Sequence, residues 1–146
     1  VKNVWKIVNM FGGLQKFKHV RILLPSRAMM PLVIERCGEG PTDNPLFSVA
    51  HYYEQNGDLM RDPEVELEMF LGDDGESQFN PISYLQDNLG IYHRCFWKDY
   101  DSGKLYRHPS LQREIRSFMN QWDREIQRHG YLAEAMASSE RLALSR

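Results

Sequence analysis

Apolar residues recur along this chain with two different periods, and the changes of period mark its elements. Val4, Ile7, Val8 and Phe11 fall at helical spacing, with Asn3 placed as an N-cap and Gly12-Gly13 as a stop, which predicts a short amphipathic helix. From Phe17 to Leu24 the period becomes two: Val20, Ile22 and Leu24 alternate with His19, Arg21 and Leu23, and Pro25-Ser26 closes the run. Met30, Leu32 and Ile34 alternate again up to Cys37, before the breaker-rich stretch from Gly38 to Pro45. Two strands and a loop are expected here.

The strongest turn signal lies next. Leu46 to Gln55 is rich in strand-forming residues, and Asn56-Gly57 is the pair that best tolerates positive φ at both centres of a type I′ hairpin turn. A two-residue turn sets Gln55 opposite Asp58, and an unbroken ladder then sets His51 opposite Asp62 and Ser48 opposite Val65. That register gives Leu46, Ala50, Tyr52, Val65, Leu67, Met69 and Leu71 to one face, the expected core, and His51, Tyr53, Asp62, Glu64, Glu66 and Glu68 to solvent. Pro63 stands against an unbroken ladder, because it has no N–H to donate and belongs at an edge or a bulge. If pairing fails there, a longer loop joins Glu54 to Glu64.

Beyond the solvated stretch Gly72–Ser77, Pro81–Leu85 and Ile91–Trp97 read as two more strands about Asp87-Asn88-Leu89-Gly90. The second carries aromatics on both faces, as a central or helix-covered strand would. Asp101-Ser102-Gly103 is a further turn signal, and the clearest periodicity of the chain follows. Leu111, Ile115, Phe118, Met119, Trp122 and Ile126 form one helical stripe, capped by His129-Gly130. Leu132, Met136 and Leu142 suggest a weaker final helix within 131–146, able to fray or to dock on a partner. The expected fold is a single α+β domain over residues 1–146. It has a largely antiparallel sheet of about five or six strands, an N-terminal helix, and a long C-terminal amphipathic helix on one sheet face.

Composition changes this picture little. With 42% hydrophobic and 26% charged residues, the chain matches a folded domain rather than a disordered segment or coiled coil. No apolar run reaches the ~20 residues of a membrane span, and the first residues lack the apolar block of a signal peptide. A cytoplasmic setting with no membrane contact is expected, and the chain opens on Val1 rather than Met, as a trimmed start would. Cys37 and Cys95 are too few for a disulfide scaffold and read as reduced, mostly buried thiols. Charge is unevenly spread. Lys2, Lys6, Lys16, Lys18, Arg21 and Arg27 precede any acidic residue, whereas from Glu35 to Glu76 twelve carboxylates face only Arg36 and Arg61. Such asymmetry marks either a binding face or a basic strand packed beside an acidic one in the same sheet.

The candidate chemistry gathers at the hairpin. A carboxylate opposite His51 could orient the ring and raise its pKa toward the range of general acid–base work, although a cross-strand His–Asp pair is also common in plain sheets. For a metal the inventory is His51, Asp58, Asp62 and Glu64, or Cys37, His51, His93 and Cys95, and neither set has ligand-motif spacing. Glu64-Val65-Glu66 lacks the lysine of a common nuclease pattern. Glu64, Glu66 and Glu68 lie roughly 6 to 7 Å apart along one strand face, a spacing that could mimic nucleic-acid phosphates or simply discourage edge-to-edge association. Lys16–Arg21 interleaves basic and aromatic residues as nucleic-acid surfaces do, but is short. Nucleotide-binding glycine loops and the serine-hydrolase elbow are absent. The candidate binding surface is therefore His51, Tyr53, Glu54, Asp58, Asp62 and Glu64, with no catalytic residue, cofactor or metal assigned.

An Ala-His-Tyr-Tyr strand at 50–53, Asn-Gly-Asp at 56–58, Asp-Pro-Glu at 62–64 and Asp-Asn-Leu-Gly at 87–90 give residues 29–97 a resemblance. The pattern resembles a family of small uncharacterised bacterial domains of plasmids, phages and conjugative elements, sometimes found within antirestriction-type multidomain proteins. The resemblance implies an accessory role in a mobile genetic element and carries over no catalytic residue. The leading expectation is a non-enzymatic binding or regulatory module with a protein or nucleic-acid partner. The alternative is a small metal-dependent hydrolase or nuclease using His51 with nearby carboxylates.

Overall fold

The computed structural model describes residues 1–26 and 28–144, so Arg27 of the basic N-terminal set and the last two residues of 131–146 lie outside the described residues. Helix α1 (Lys2–Met10) and the short α2 (Gly13–Lys16) lead into β1 (His19–Ile22), β2 (Leu32–Glu39), β3 (Pro45–Gln55), β4 (Asp58–Leu71) and β5 (Ser77–Gln86). A 3-10 turn at Asp87–Leu89 precedes β6 (Ile91–Arg94), β7 (Phe96–Lys98) and β8 (Leu105–Arg107), and the chain ends in α3 (Pro109–Arg128) and α4 (Tyr131–Leu144). Strands β1 to β6 form one antiparallel sheet in sequence order, and β7 and β8 form a separate two-stranded ribbon. This is the α+β architecture expected, with the sheet at six strands.

The Asn-Gly turn forms as the sequence requires: Asn56 and Gly57 both take positive φ, and Gln55 pairs with Asp58. The register holds through Tyr52–Arg61 and then shifts, so that Ala50 pairs with Glu64, Val49 with Val65 and Ser48 with Glu66. One extra residue of β4 is accommodated at Asp62-Pro63, where proline has no N–H for the ladder. The pairing therefore neither runs unbroken nor opens into a long loop. It bulges by one residue, and in a period-two structure that offset exchanges the faces of β3 relative to β4.

The consequence corrects the expected core. Val65, Leu67, Met69 and Ala50 are buried as anticipated, but Val65 and Leu67 pair with Val49 and Phe47, while Ala50 pairs with Glu64. His51, expected at the surface, follows Phe47 and Val49 inward and is only 9% exposed. Leu71, expected in the core, is 59% exposed near the end of β4. Cys37 is exposed, whereas Cys95 is buried with its thiol donating to the Pro81 carbonyl. The expected strand Ile91–Trp97 breaks at Cys95, and its first part is the edge strand β6 rather than a central one.

Helices close one face of the sheet. The stripe of α3 buries Ile115, Met119, Trp122 and Ile126, and Phe118 meets Tyr84 of β5 edge to face at 5.1 Å. Gln112 and Arg116 donate to the Pro81 and Phe79 carbonyls of β5 at 3.2 and 2.9 Å. Asn3 is not the N-cap of α1. It is buried, and the buried Asp123 of α3 instead accepts from the backbone N–H groups of Asn3 and Val4 at 3.1 and 2.8 Å. One side chain thus satisfies the helix start and ties the two ends of the chain together.

Candidate functional site

Of the six residues expected to share a surface, the hairpin sends one into the core. The His51 ring lies between Trp122 and Tyr131, at centroid separations of 5.3 and 5.4 Å. Its Nδ1 is 2.9 Å from the Pro31 carbonyl. A carbonyl only accepts, so the neutral ring carries its proton on Nδ1. Burial pushes the His51 pKa below its ordinary value, against the smaller pull of the Pro31 carbonyl and of Asp62. The direction is opposite to what a base raised by a carboxylate partner requires. Asp62 sits on the bulge and accepts a hydrogen bond from Gln86 Nε2 at 2.8 Å. The expected His51–Asp62 pair is replaced by these two separate anchors.

The bulged segment is clamped from β5 and the turn after it. Asp87 accepts from the Arg61 backbone N–H at 2.7 Å and from its guanidinium at 3.1 and 2.9 Å. These Arg61 hydrogen bonds, the side-chain ones first, hold the Asp87 carboxyl down to about 2. Gly90 closes the 3-10 turn with φ 64°. The Asp-Pro-Glu and Asp-Asn-Leu-Gly segments, far apart in sequence, are therefore two halves of one clamp on the hairpin.

Glu64, Glu66 and Glu68 project from the sheet face turned away from the helices, but not as a free row of charges. Glu64 accepts from the Tyr52 phenol at 3.1 Å and Glu66 from Ser83 at 2.7 Å. Glu68 is fully buried and accepts from the Thr42 backbone N–H and hydroxyl, both at 2.9 Å, and from Asn80 at 3.1 Å. Its work is to hold the β2–β3 loop. A spacing that matched phosphates is thus taken up by internal hydrogen bonds. Burial first, then the Glu64 charge and hydrogen bond, raises the Tyr52 phenol well above its ordinary pKa, so it remains a donor.

On this same face lies a cleft of about 510 Å³, lined by residues of β1, β2 and the hairpin. Tyr53 and Glu54 of the expected surface line it, joined by His19, Arg21, Glu35, Tyr52 and Leu59. Asp58 is exposed at the hairpin turn, while His51, Asp58, Asp62 and Glu64 are not among the lining residues. The cleft offers two phenol rings, one guanidinium, two carboxylates and apolar surface, a set that suits recognition of a mixed-polarity chain segment. The missed lining residues had a sequence signal in the alternation His19, Arg21 and Glu35, but their meeting with Tyr52 depends on the bulge. Across the β1–β2 ladder His19 faces Glu35 and Arg21 faces Val33. Among the described residues no group of three His, Cys, Asp or Glu side chains is arranged to hold a metal ion. Among the described residues no helix is long and apolar enough to cross a membrane.

No curated protein and no solved structure matches the chain. One family model does, over residues 2–132, and so takes in α1 and α3 as well as the hairpin and its clamp. By that match the chain belongs to the family described as a domain of unknown function, DUF6908.

Proposed function

We propose that this protein is a non-enzymatic binding module that takes a segment of a partner protein in the cleft between β1, β2 and the hairpin tip. The observation that carries the reading is the meeting of Arg21, Glu35, Tyr52, Tyr53, Glu54 and Leu59 around one open cavity. Tyrosines supply large contact area at low entropic cost, and the two signs of charge select register along a peptide. The resemblance of the hairpin motifs to domains of plasmids and phages supports a cytoplasmic accessory role in a bacterial mobile element. The alternative of a metal-dependent hydrolase or nuclease has less support, since His51 packs between Trp122 and Tyr131 and Asp62 is bound to Gln86.

The test is selection of peptides from a displayed random library on the immobilised chain, followed by affinity measurement against Tyr53→Ala and Leu59→Ala variants. Enriched peptides are expected to lose at least about tenfold in affinity on these variants, the loss typical of removing a central contact. Enriched peptides that bind both variants as tightly as the original chain would refute the assignment of the cleft, as would the absence of any enrichment.

A further inference from the structure

A second cleft, of about 300 Å³, lies between the β2–β3 loop and the β7–β8 ribbon and shares no lining residue with the first. Its volume is at the small end of the range for small-molecule sites. Sheet order sets its walls. Because β4 and β5 run between β3 and β6, Glu39 and Asp43, at the end of β2 and in the loop after it, stand on one side, and Arg94, Lys98 and Tyr100 on the other. Glu66 of β4 and Arg94 of β6 are both register partners of Ser83, so their backbones lie two strand spacings apart, roughly 10 Å. The buried Ile82 and Phe96 give the cleft an apolar base, to which the half-buried Leu46 adds.

Charges of opposite sign face each other across this cleft without meeting. Among the described residues Asp43, Arg94 and Lys98 are in no ion pair, and Glu39 is paired with Arg36 at 3.7 Å rather than with either ribbon cation. Glu66 accepts from the Ser83 hydroxyl at 2.7 Å, and the Arg94 guanidinium lies 5.6 Å from the Trp97 ring centroid. Each of these two charges is thus positioned by a neighbouring side chain and keeps capacity for a further partner. Charges that served to join the loop to the ribbon would be in contact. Tyr100, in the same lining, is 95% exposed, so its ring has open area for an occupant.

From this arrangement we infer that the cleft binds a small zwitterion of the α-amino-acid class with an apolar side chain. The ammonium group is received on the side of Asp43 and Glu66, the carboxylate on the side of Lys98 and Arg94, and the side chain against Leu46 and Tyr100. A pure anion or a pure cation of the same size is attracted by one wall and repelled by the other, whereas a molecule that carries both signs is attracted by both. The apolar base gives the contact area, and the opposed charges fix the orientation.

The experiment is an NMR titration of the isotope-labelled full chain with L-phenylalanine at low salt, following the indole N–H signals of Trp5, Trp97 and Trp122, with Trp97→Phe used to assign the second. A saturable shift of the Trp97 signal alone is expected, with a Kd on the order of 1 mM, the scale for a ligand of this size. Phenethylamine, which lacks the carboxylate, and hydrocinnamate, which lacks the ammonium group, should each bind at least about threefold more weakly. Lys98→Gln and Asp43→Asn each remove one charge and no ion pair, and asparagine suits the positive φ of 63° at position 43, so both variants keep the fold. Each should bind L-phenylalanine at least about threefold more weakly. Asp101→Asn, whose carboxylate is outside the lining, should leave the affinity unchanged. No saturable shift by about 10 mM, a one-charge analogue bound as tightly as the zwitterion, unchanged affinity in Lys98→Gln or Asp43→Asn, or an equal loss in Asp101→Asn would each overturn the inference.

Discussion

Replacing His51 by alanine tests the central feature of the hairpin. The substitution removes a ring that packs on both Trp122 and Tyr131 and leaves the Pro31 carbonyl without its 2.9 Å partner. A lost hydrogen bond costs about 1 kcal/mol and each aromatic contact about 1 kcal/mol beyond burial, so the loss should reach about 3 kcal/mol, in line with other large-to-small core changes. Asp62→Ala, which removes only the bond from Gln86, should cost no more than about 1 kcal/mol. Urea unfolding monitored by circular dichroism reads both. The same histidine makes a pH prediction. Burial holds its folded-state pKa below the ordinary 6.5, so the unfolded chain takes up the proton first. Its contribution is complete above that value and is lost as pH falls below it, with a slope of at most about 1.4 kcal/mol per pH unit. His51→Phe keeps a ring in place and should flatten that limb of the stability curve. Equal losses below about 1 kcal/mol for His51→Ala and Asp62→Ala, with no change of the acid limb in His51→Phe, would refute the buried placement.

Two further substitutions test the supports of the sheet. A Cβ at Gly40 would lie 2.1 Å from Glu68 Cγ, and Glu68 is fully buried, so Gly40→Ala should cost more than about 2 kcal/mol in urea unfolding, and a loss below about 0.5 kcal/mol would contradict the packing of the β2–β3 loop on Glu68. Asp87→Asn should cost about 1 kcal/mol at neutral pH, a figure reduced for solvent screening of the partly exposed Arg61 pair. Because the Asp87 carboxyl is depressed from 3.8 to about 2, its contribution is present above 3.8 and lost as pH falls toward 2, so the variant should lack that limb in an acid titration of stability.

The legible parts of this fold are those governed by neighbours in sequence. The stripe from Leu111 to Ile126 specifies α3 because burial of one helix face needs only the 3.6-residue period. Asn56-Gly57 specifies its turn because both positions need positive φ. Neither signal specifies the pairing at Pro63. There, one residue of slack reverses which side of β3 is core, and the pattern of β3 itself, with Leu46, Ala50 and Tyr52 on one side and Phe47, Val49 and His51 on the other, is apolar enough to suit either. Cys95 shows the same limit from another direction: an apparently continuous strand is interrupted at Cys95, whose backbone N–H still bonds the Ile82 carbonyl of β5 before the chain enters β7.

Of the six candidate surface residues, Tyr53 and Glu54 line the cleft, His51 is buried, and Asp58, Asp62 and Glu64 lie outside that lining. Sequence alone determined the hairpin, the helical stripe, the main antiparallel sheet and the crowding of polar groups near residue 51, since each follows from local conformational preference and hydrophobic period, whereas the β7–β8 ribbon was not legible. Only tertiary structure decided that His51 lies under Trp122 and Tyr131, that Glu68 supports a loop, that Asp87 grips Arg61, and that Tyr52 and Tyr53 open onto a cleft with Arg21. The physical reason is that a side chain's face and partner are set by register and by what packs across the sheet, and a single unpaired residue beside Pro63 changes both.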